Sequence, residues 1–440
     1  MHHDVAILGG GPGGATLAMH LLQEGIRPLI IEKETFPRYH IGESMTGEAV
    51  NVLRKLGLGP LIEANGHPTR KGAVVLSAKG KNSWWVPVML RDANNELVEG
   101  EAWQVRRSVF DQTLLDEAVR RGATLVKARA VEVLRGPEPD EVRGVVIEHP
   151  GGEREVVETR MLCDVTGQAT WLAHQGITST KEPGRYDKQV AVFSQIRDTV
   201  RGEGFDGVDR PTHPDNTIIF YADLYHWSWF IPLDDDVVSV GVVVPSAYFN
   251  SKGESKADFL RRELRELHPE LARRVRDTTL IEEARAIPNY SYYIERFAGK
   301  GWLCIGDTHR FIDPIFSFGL YLTMKEGQYA APLIRRYLAG ELGDGREAFA
   351  HHARRMDTAI DHYQDLIDGF WGEAQGFAYL VNNPRTRNQV IDMFAGRIYD
   401  VTERDIPAIK EMRALARKAR EGGRLYGEDR RRSGFAAPIG

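Results

Sequence analysis

Asp4-Val5-Ala6-Ile7-Leu8-Gly9-Gly10-Gly11-Pro12-Gly13-Gly14-Ala15-Thr16-Leu17-Ala18-Met19-His20-Leu21-Leu22 reads as strand, glycine turn and helix. Gly9, Gly11 and Gly14 stand at the G-x-G-x-x-G spacing, whose glycines permit a tight turn, close approach of backbone to a pyrophosphate, and tight packing of helix on strand. The helix N-terminus then offers unpaired N–H groups to phosphate. Pro28-Leu29-Ile30-Ile31-Glu32 supplies a second apolar strand ending in an acid, at the distance that suits a ribose hydroxyl. Strand, turn, helix, strand and acid in this order predict a dinucleotide site on a Rossmann-like sheet.

The rest of the chain bounds what that site can belong to. At 440 residues it exceeds ordinary single-domain length, so several lobes sharing one cofactor are expected. Charged residues make up 27% with a net charge of −5, which gives no overall attraction to nucleic acid or anionic membrane. Cys163 and Cys304 each sit in an apolar, strand-like run and read as core residues, and a reducing cytoplasm is the expected compartment. The chain opens with no basic segment followed by an apolar one, and no run approaches the roughly eighteen apolar residues of a membrane span.

Further along, Phe36-Pro37-Arg38-Tyr39-His40-Ile41-Gly42-Glu43-Ser44 is a polar loop beside the cofactor strand, and a helix is expected from about Thr46 to Leu56. Ser108 is the expected N-cap of a helix containing Phe110, Leu114 and Leu115. Short β-branched runs from Thr124 to Val165 predict a meander ending at Asp164-Val165-Thr166-Gly167. Val190–Ile196, Thr217–Leu224, Trp227–Leu233 and Val237–Val244 predict an antiparallel sheet, with Asp234-Asp235-Asp236 as a hairpin turn. Trp302-Leu303-Cys304-Ile305-Gly306-Asp307 has the pattern of a strand rejoining the first sheet. The charged stretch from Arg404, with Arg430-Arg431-Arg432, reads as a solvated, fraying tail. The expected architecture is therefore α/β: a discontinuous Rossmann-like domain from residues 1–175 and 285–340, an antiparallel-sheet substrate domain from 176–284, and a helical region from 341–440.

Gly9-x-Gly11-x-x-Gly14, Arg107-x-x-Phe110-Asp111, and Gly306-Asp307 followed by Asp313-Pro314 resemble the flavoprotein monooxygenase superfamily. The resemblance implies FAD, with Glu32 on the adenosine ribose, Arg107 near the flavin or pyrophosphate, Asp307 on the ribityl chain and Pro314 in the adjoining turn. Within that superfamily, Trp227-Ser228-Trp229-Phe230-Ile231-Pro232 resembles the W-x-W-x-I-P segment of flavin-dependent halogenases. Alternation along a strand puts both indoles on one face, where they can wall substrate off from flavin. The same resemblance implies a catalytic lysine at Lys71, in Thr69-Arg70-Lys71-Gly72, with Arg70 leaving the register open by one residue. It also implies a halide held by the amides of Phe318 and Gly319 in Phe311-Ile312-Asp313-Pro314-Ile315-Phe316-Ser317-Phe318-Gly319. Phe318 stands where the family usually has a small residue, and His309-Arg310 likewise replace small residues. Phe316 stands where tryptophan-specific members carry glutamate, which points away from free tryptophan as substrate.

The activity so implied is two-component chlorination or bromination of an electron-rich aromatic, a phenol or pyrrole, free or tethered to a carrier protein. A separate flavin reductase would supply reduced FAD; oxygen would form a hydroperoxide on it, chloride or bromide would attack, and hypohalous acid would travel to the lysine. The alternatives that keep FAD are a monooxygenase or a geranylgeranyl-reductase-like oxidoreductase without halogenation; a flavoprotein that binds FAD without catalysis is a third.

Overall fold

In the computed structural model, which describes residues 1–80, 82–184, 186, 188–201, 213–234, 236–288, 291–343 and 347–425, Val5, Ala6 and Ile7 have no accessible surface. A run that apolar on both faces belongs at the centre of a parallel sheet. The strand His2–Leu8 accordingly lies between two parallel neighbours, Leu29–Glu32 and the C-terminal half of Arg154–Asp164. Thr124–Lys127 continues the sheet on one side and the antiparallel strands Val142–Glu148 and Arg129–Arg135 on the other. Trp302–Cys304 adds parallel to Leu162–Asp164, so the chain does return to this sheet from far away in sequence. Cys163 and Cys304 are free and buried there.

The second sheet runs Thr279–Leu280, Gln189–Arg197, Val238–Pro245, His226–Pro232, Thr217–Asp223, Gly72–Ser77 and Trp84–Pro87, with Arg285–Pro288 also on Gln189–Arg197. Its membership differs from the expected segments at both ends. Gly72–Ser77 pairs parallel to Thr217–Asp223, so residues 72–87 belong with the antiparallel lobe, and so does Arg285–Pro288. Pairing between distant segments leaves no mark in local pattern, which is why a linear division at 175 and 285 misses it. Asp234 forms the turn after Pro232 by accepting from the amides of Asp236 and Val237; Asp235 lies outside the described residues.

The helix expected to be capped by Ser108 begins at Arg107, with Arg106 as N-cap and no side-chain cap bond. The stretch after Arg404 is also corrected. Ala408–Glu421 is a helix burying Ile409, Met412, Ala416 and Ala419 against the helix Ala350–Gly372. Those apolar residues recur at three- and four-residue steps and outweigh the surrounding charge. Arg430-Arg431-Arg432 lies outside the described residues. No described helix is long and apolar enough to cross a membrane.

Candidate active site

The glycine turn is shaped by contacts that exclude side chains. Gly9 has φ +102°, and a Cβ on Gly14 would lie 1.9 Å from the Gly9 carbonyl oxygen. A Cβ on Gly13 would strike Thr323 of the helix Gly319–Leu338 at 2.3 Å. Pro12 starts the helix Pro12–Gln23, where its missing N–H costs nothing. A Cβ on Gly11, by contrast, would touch only the Arg38 guanidinium, at 3.4 Å, so the turn opens there to the cavity.

That cavity has a volume of ≈ 550 Å³ and runs from Gly9, Gly11 and Glu32 past Arg107 and Asp307 to Trp227 and Trp229. Glu32 accepts from the amides of Gly10 and Glu34, both at 2.6 Å, which fixes its carboxylate at the end of the second strand and leaves lone pairs for hydroxyl donors. Arg107 grips Asp111 through two bonds of 2.6 and 2.9 Å and donates to the Ile41 carbonyl at 2.6 Å. It thereby ties the polar loop at 40–42 to the helix that follows the cofactor strands. Asp307 faces the cavity beside Lys181 and Arg107; desolvation raises its carboxyl to about 7 despite Arg107. Open turn, carboxylate, guanidinium and elongated hollow together fit a dinucleotide.

At the far end the indoles of Trp227 and Trp229 stand 5.8 Å apart on one face of the second sheet. Trp229 donates to Ser239 Oγ at 3.0 Å, and Ser239 donates to Glu43 Oε2 at 3.2 Å. Glu43 is wholly enclosed, and desolvation raises it to about 7 although Ser239 and Arg107 favour its charged form. Gly241, opposite Trp229, makes room for this ring: a Cβ there would approach the indole to 2.2 Å. Gly241→Ala is therefore expected to displace Trp229 and to destabilise the protein by about 1–3 kcal/mol, the usual cost of overpacking. Chemical denaturation measures the loss, and an unchanged near-ultraviolet circular dichroism spectrum would contradict the displacement.

Ser317 has φ +61° and Phe318 is the N-cap of Gly319–Leu338, whose first-turn amides have no partner within the helix. Ser317, Gly319 and Pro314 line the cavity. The Phe318 ring does not; it stacks on Tyr363 with centroids 3.5 Å apart and is buried. The unusual ring thus turns away from the hollow, leaving the backbone of the turn free to face it. His309 likewise turns away, stacking on Phe297 near Glu326, and Arg310 pairs with Asp361.

Lys71 stands apart from these contacts. Its side chain is half exposed, pairs with Glu101, and lines neither this cavity nor the next. Lys71 sits in the bend between the strands Thr69–Arg70 and Gly72–Ser77, where its N–H donates to Asn216 Oδ1 and its carbonyl accepts from the Val88 amide. Arg70, one residue earlier, points inward and is buried. It lines a smaller hollow of ≈ 40 Å³ that shares Thr217, Ile219 and Ser317 with the large one. Trp84 and Phe316 also line this second hollow. Glu43, Thr217 and Trp84 carried no distinguishing pattern in the sequence beyond the polar loop that contains Glu43.

A family model for an FAD binding domain matches residues 2–359. A 1H-pyrrole-2-carbonyl-[peptidyl-carrier protein] brominase of Pseudoalteromonas luteoviolacea is 33% identical over 407 residues, covering 92% of this chain and 95% of the relative. The chain belongs to the flavin-dependent halogenase family. A chlorinase of the same carrier-bound pyrrole class, from Pseudomonas fluorescens, is 25% identical to this halogenase, with 90% of each chain covered. Among solved structures, the flavin-dependent brominase Bmp2 superposes on the halogenase with a TM-score of 0.87 at 32% identity, spanning 96% of this chain and all of that one. The protein is thus an FAD-dependent oxidoreductase of mixed α/β fold.

Proposed function

We propose that this halogenase chlorinates or brominates a pyrrole or similarly electron-rich aromatic ring presented on a carrier protein, using FAD reduced by a separate flavin reductase. The relatives named above act on a carrier-bound pyrrole, and they match this chain over nearly its whole length. The observation that carries the reading is the pairing of two hollows, one of dinucleotide dimensions and one small and aromatic, which share Thr217, Ile219 and Ser317. Such a division lets an oxidised halogen be made in one place and used in another.

In this reading Gly9, Gly11 and Gly14 admit the pyrophosphate, Glu32 accepts from the adenosine ribose, and Asp307 from the ribityl chain. Arg107 holds the loop at 40–42 against the cofactor, and Pro314 shapes the turn beside it. Phe318 and Gly319 offer amide N–H groups to chloride or bromide, since a halide needs only donors. Trp227 and Trp229 keep the ring to be halogenated away from the flavin. Bound FAD, once reduced, supplies with oxygen the power to oxidise the halide; the chain's own contribution is placement and exclusion of water.

The test is an incubation of enzyme, flavin reductase, FAD, bromide and a pyrrole-loaded carrier protein, read by intact-protein mass. Exchange of one hydrogen for bromine, dependent on bromide, is expected. Oxygen insertion alone, or turnover indifferent to halide, would overturn the reading.

A further inference from the structure

Arg70 is a buried cation with no carboxylate partner among the described residues. Its Nη2 donates to the Met45 carbonyl at 2.5 Å, while its Nε has no acceptor. Nearby, Trp84 Nε1 is also buried without a partner. Both residues line the smaller hollow, and both are more than nine-tenths buried. An unpartnered buried donor costs about 1–3 kcal/mol, and an unpaired buried charge costs more. Two such donors at one hollow point to a ligand that carries lone pairs. The space, ≈ 40 Å³, suits a group the size of about three or four waters, given about 10–15 Å³ for each.

The walls are aromatic. Trp84, Phe316 and Phe394 line the hollow, Trp84 packs further on Phe370 and Phe377, and the Arg70 side chain is buried behind them. Burial lowers Arg70 only to about 10, and it stays protonated at neutral pH. A guanidinium in that state cannot accept a halogen on nitrogen; it can only donate hydrogen bonds.

Resting on the halogenase reading above, we infer that Arg70, rather than Lys71, receives the oxidised halogen, holding the oxygen of hypohalous acid in the small hollow with Trp84 Nε1 as a second donor. The substrate ring carbon forms its bond to the halogen as the oxygen–halogen bond breaks. The oxygen keeps the bonding pair under the guanidinium N–H, and with the proton lost from the ring carbon it leaves as water. Arg70 ends the step as it began, protonated, and hypohalous acid plus aromatic C–H gives aromatic C–halogen plus water. Hydrogen bonds to the departing oxygen strengthen as its charge grows, which is where such donors accelerate a reaction.

The experiment compares Arg70→Ala, Arg70→Gln, Arg70→Lys and Lys71→Ala as FAD-loaded enzymes with bromide and the loaded carrier, while a phenol in solution traps any hypobromous acid that escapes. Circular dichroism and retained FAD establish that each variant is folded. The expected result is at least a hundredfold loss of carrier bromination in Arg70→Ala and Arg70→Gln with the trap still brominated, about tenfold loss in Arg70→Lys, and no comparable loss in Lys71→Ala. A second readout uses FAD-free wild-type protein and sodium formate as a small oxygen acceptor. The 15N–1H resonance of Arg70 Nε, identified by its absence in Arg70→Lys, is expected to shift and saturate. Loss of bromination confined to Lys71→Ala, wild-type rates in both neutral Arg70 variants, or an Arg70 resonance indifferent to formate would overturn the inference. If the wild-type protein brominates neither carrier nor trap, the halogenase reading has failed and this inference falls with it.

Discussion

Gly14→Val is expected to yield a protein that purifies without flavin and binds added FAD at least a hundredfold more weakly. Even the first carbon of the new side chain would stand 1.9 Å from the Gly9 carbonyl oxygen, 3.1 Å from its carbon and 3.3 Å from Ile7. Two of those three atoms are backbone of the turn itself, so no rotamer change relieves the clash. Either the helix Pro12–Gln23 moves off the strand or the turn changes shape, and both carry the amides of the helix N-terminus away from the phosphates. Gly11→Ala makes the matched comparison. Its Cβ would meet only the flexible Arg38 side chain, at 3.4 Å, and the protein should stay folded while losing the close backbone approach. Isothermal titration with FAD separates the two variants. Wild-type affinity in Gly14→Val would show that the turn does not hold the dinucleotide.

The second large effect is on stability against pH. Glu43 and Asp313 are almost fully buried, and desolvation raises each to about 7. For Glu43 the hydrogen bond from Ser239 and the charge of Arg107 oppose that rise without reversing it. For Asp313 the opposing contacts are the Ile315 amide and Trp371 Nε1, at 3.0 Å each. A carboxyl whose folded value is raised is protonated in both states at low pH, and its full contribution to stability is present there. As pH climbs past the unfolded value, near 4–4.5, the unfolded chain releases the proton while the folded protein keeps it. Stability therefore falls from there up to about pH 7, then levels once both states are ionised.

The raised Glu43 alone corresponds to roughly 3 kcal/mol across that window, at 1.36 kcal/mol for each unit. Measured by urea denaturation of FAD-free protein, Glu43→Gln should match wild type near pH 5 and exceed it near pH 8 by about that amount. A Glu43→Gln difference that is the same at both pH values would mean that Glu43 is not protonated in the folded protein. The same carboxyl accepts from Ser239, which in turn accepts from Trp229, at the indole end of the large hollow.

Several features were legible in the order of residues because their chemistry is local. Four apolar residues running into spaced glycines read as a buried strand entering a phosphate-binding type of turn, and the acid at Glu32 follows at the length of one helix and one strand. Trp227 and Trp229 share a face because a strand repeats every two residues, and the structure has them doing so. The same period is silent on which face is inside. Nothing local distinguishes Arg70, at the end of the strand Thr69–Arg70, from Lys71 in the bend after it; contacts with distant segments do, since Arg70 is buried against the Met45 carbonyl while Lys71 turns out to Glu101. The aromatic walls show this most plainly, since Trp84, Phe316, Phe370, Phe377 and Phe394 come from separate segments and meet only in the folded chain. The sequence alone thus determined the glycine turn, the indole pair and the halogenase resemblance, because each is written in residues that are neighbours or near neighbours. Tertiary structure alone decided which of the two cations is buried and what encloses it, because burial is set by long-range packing.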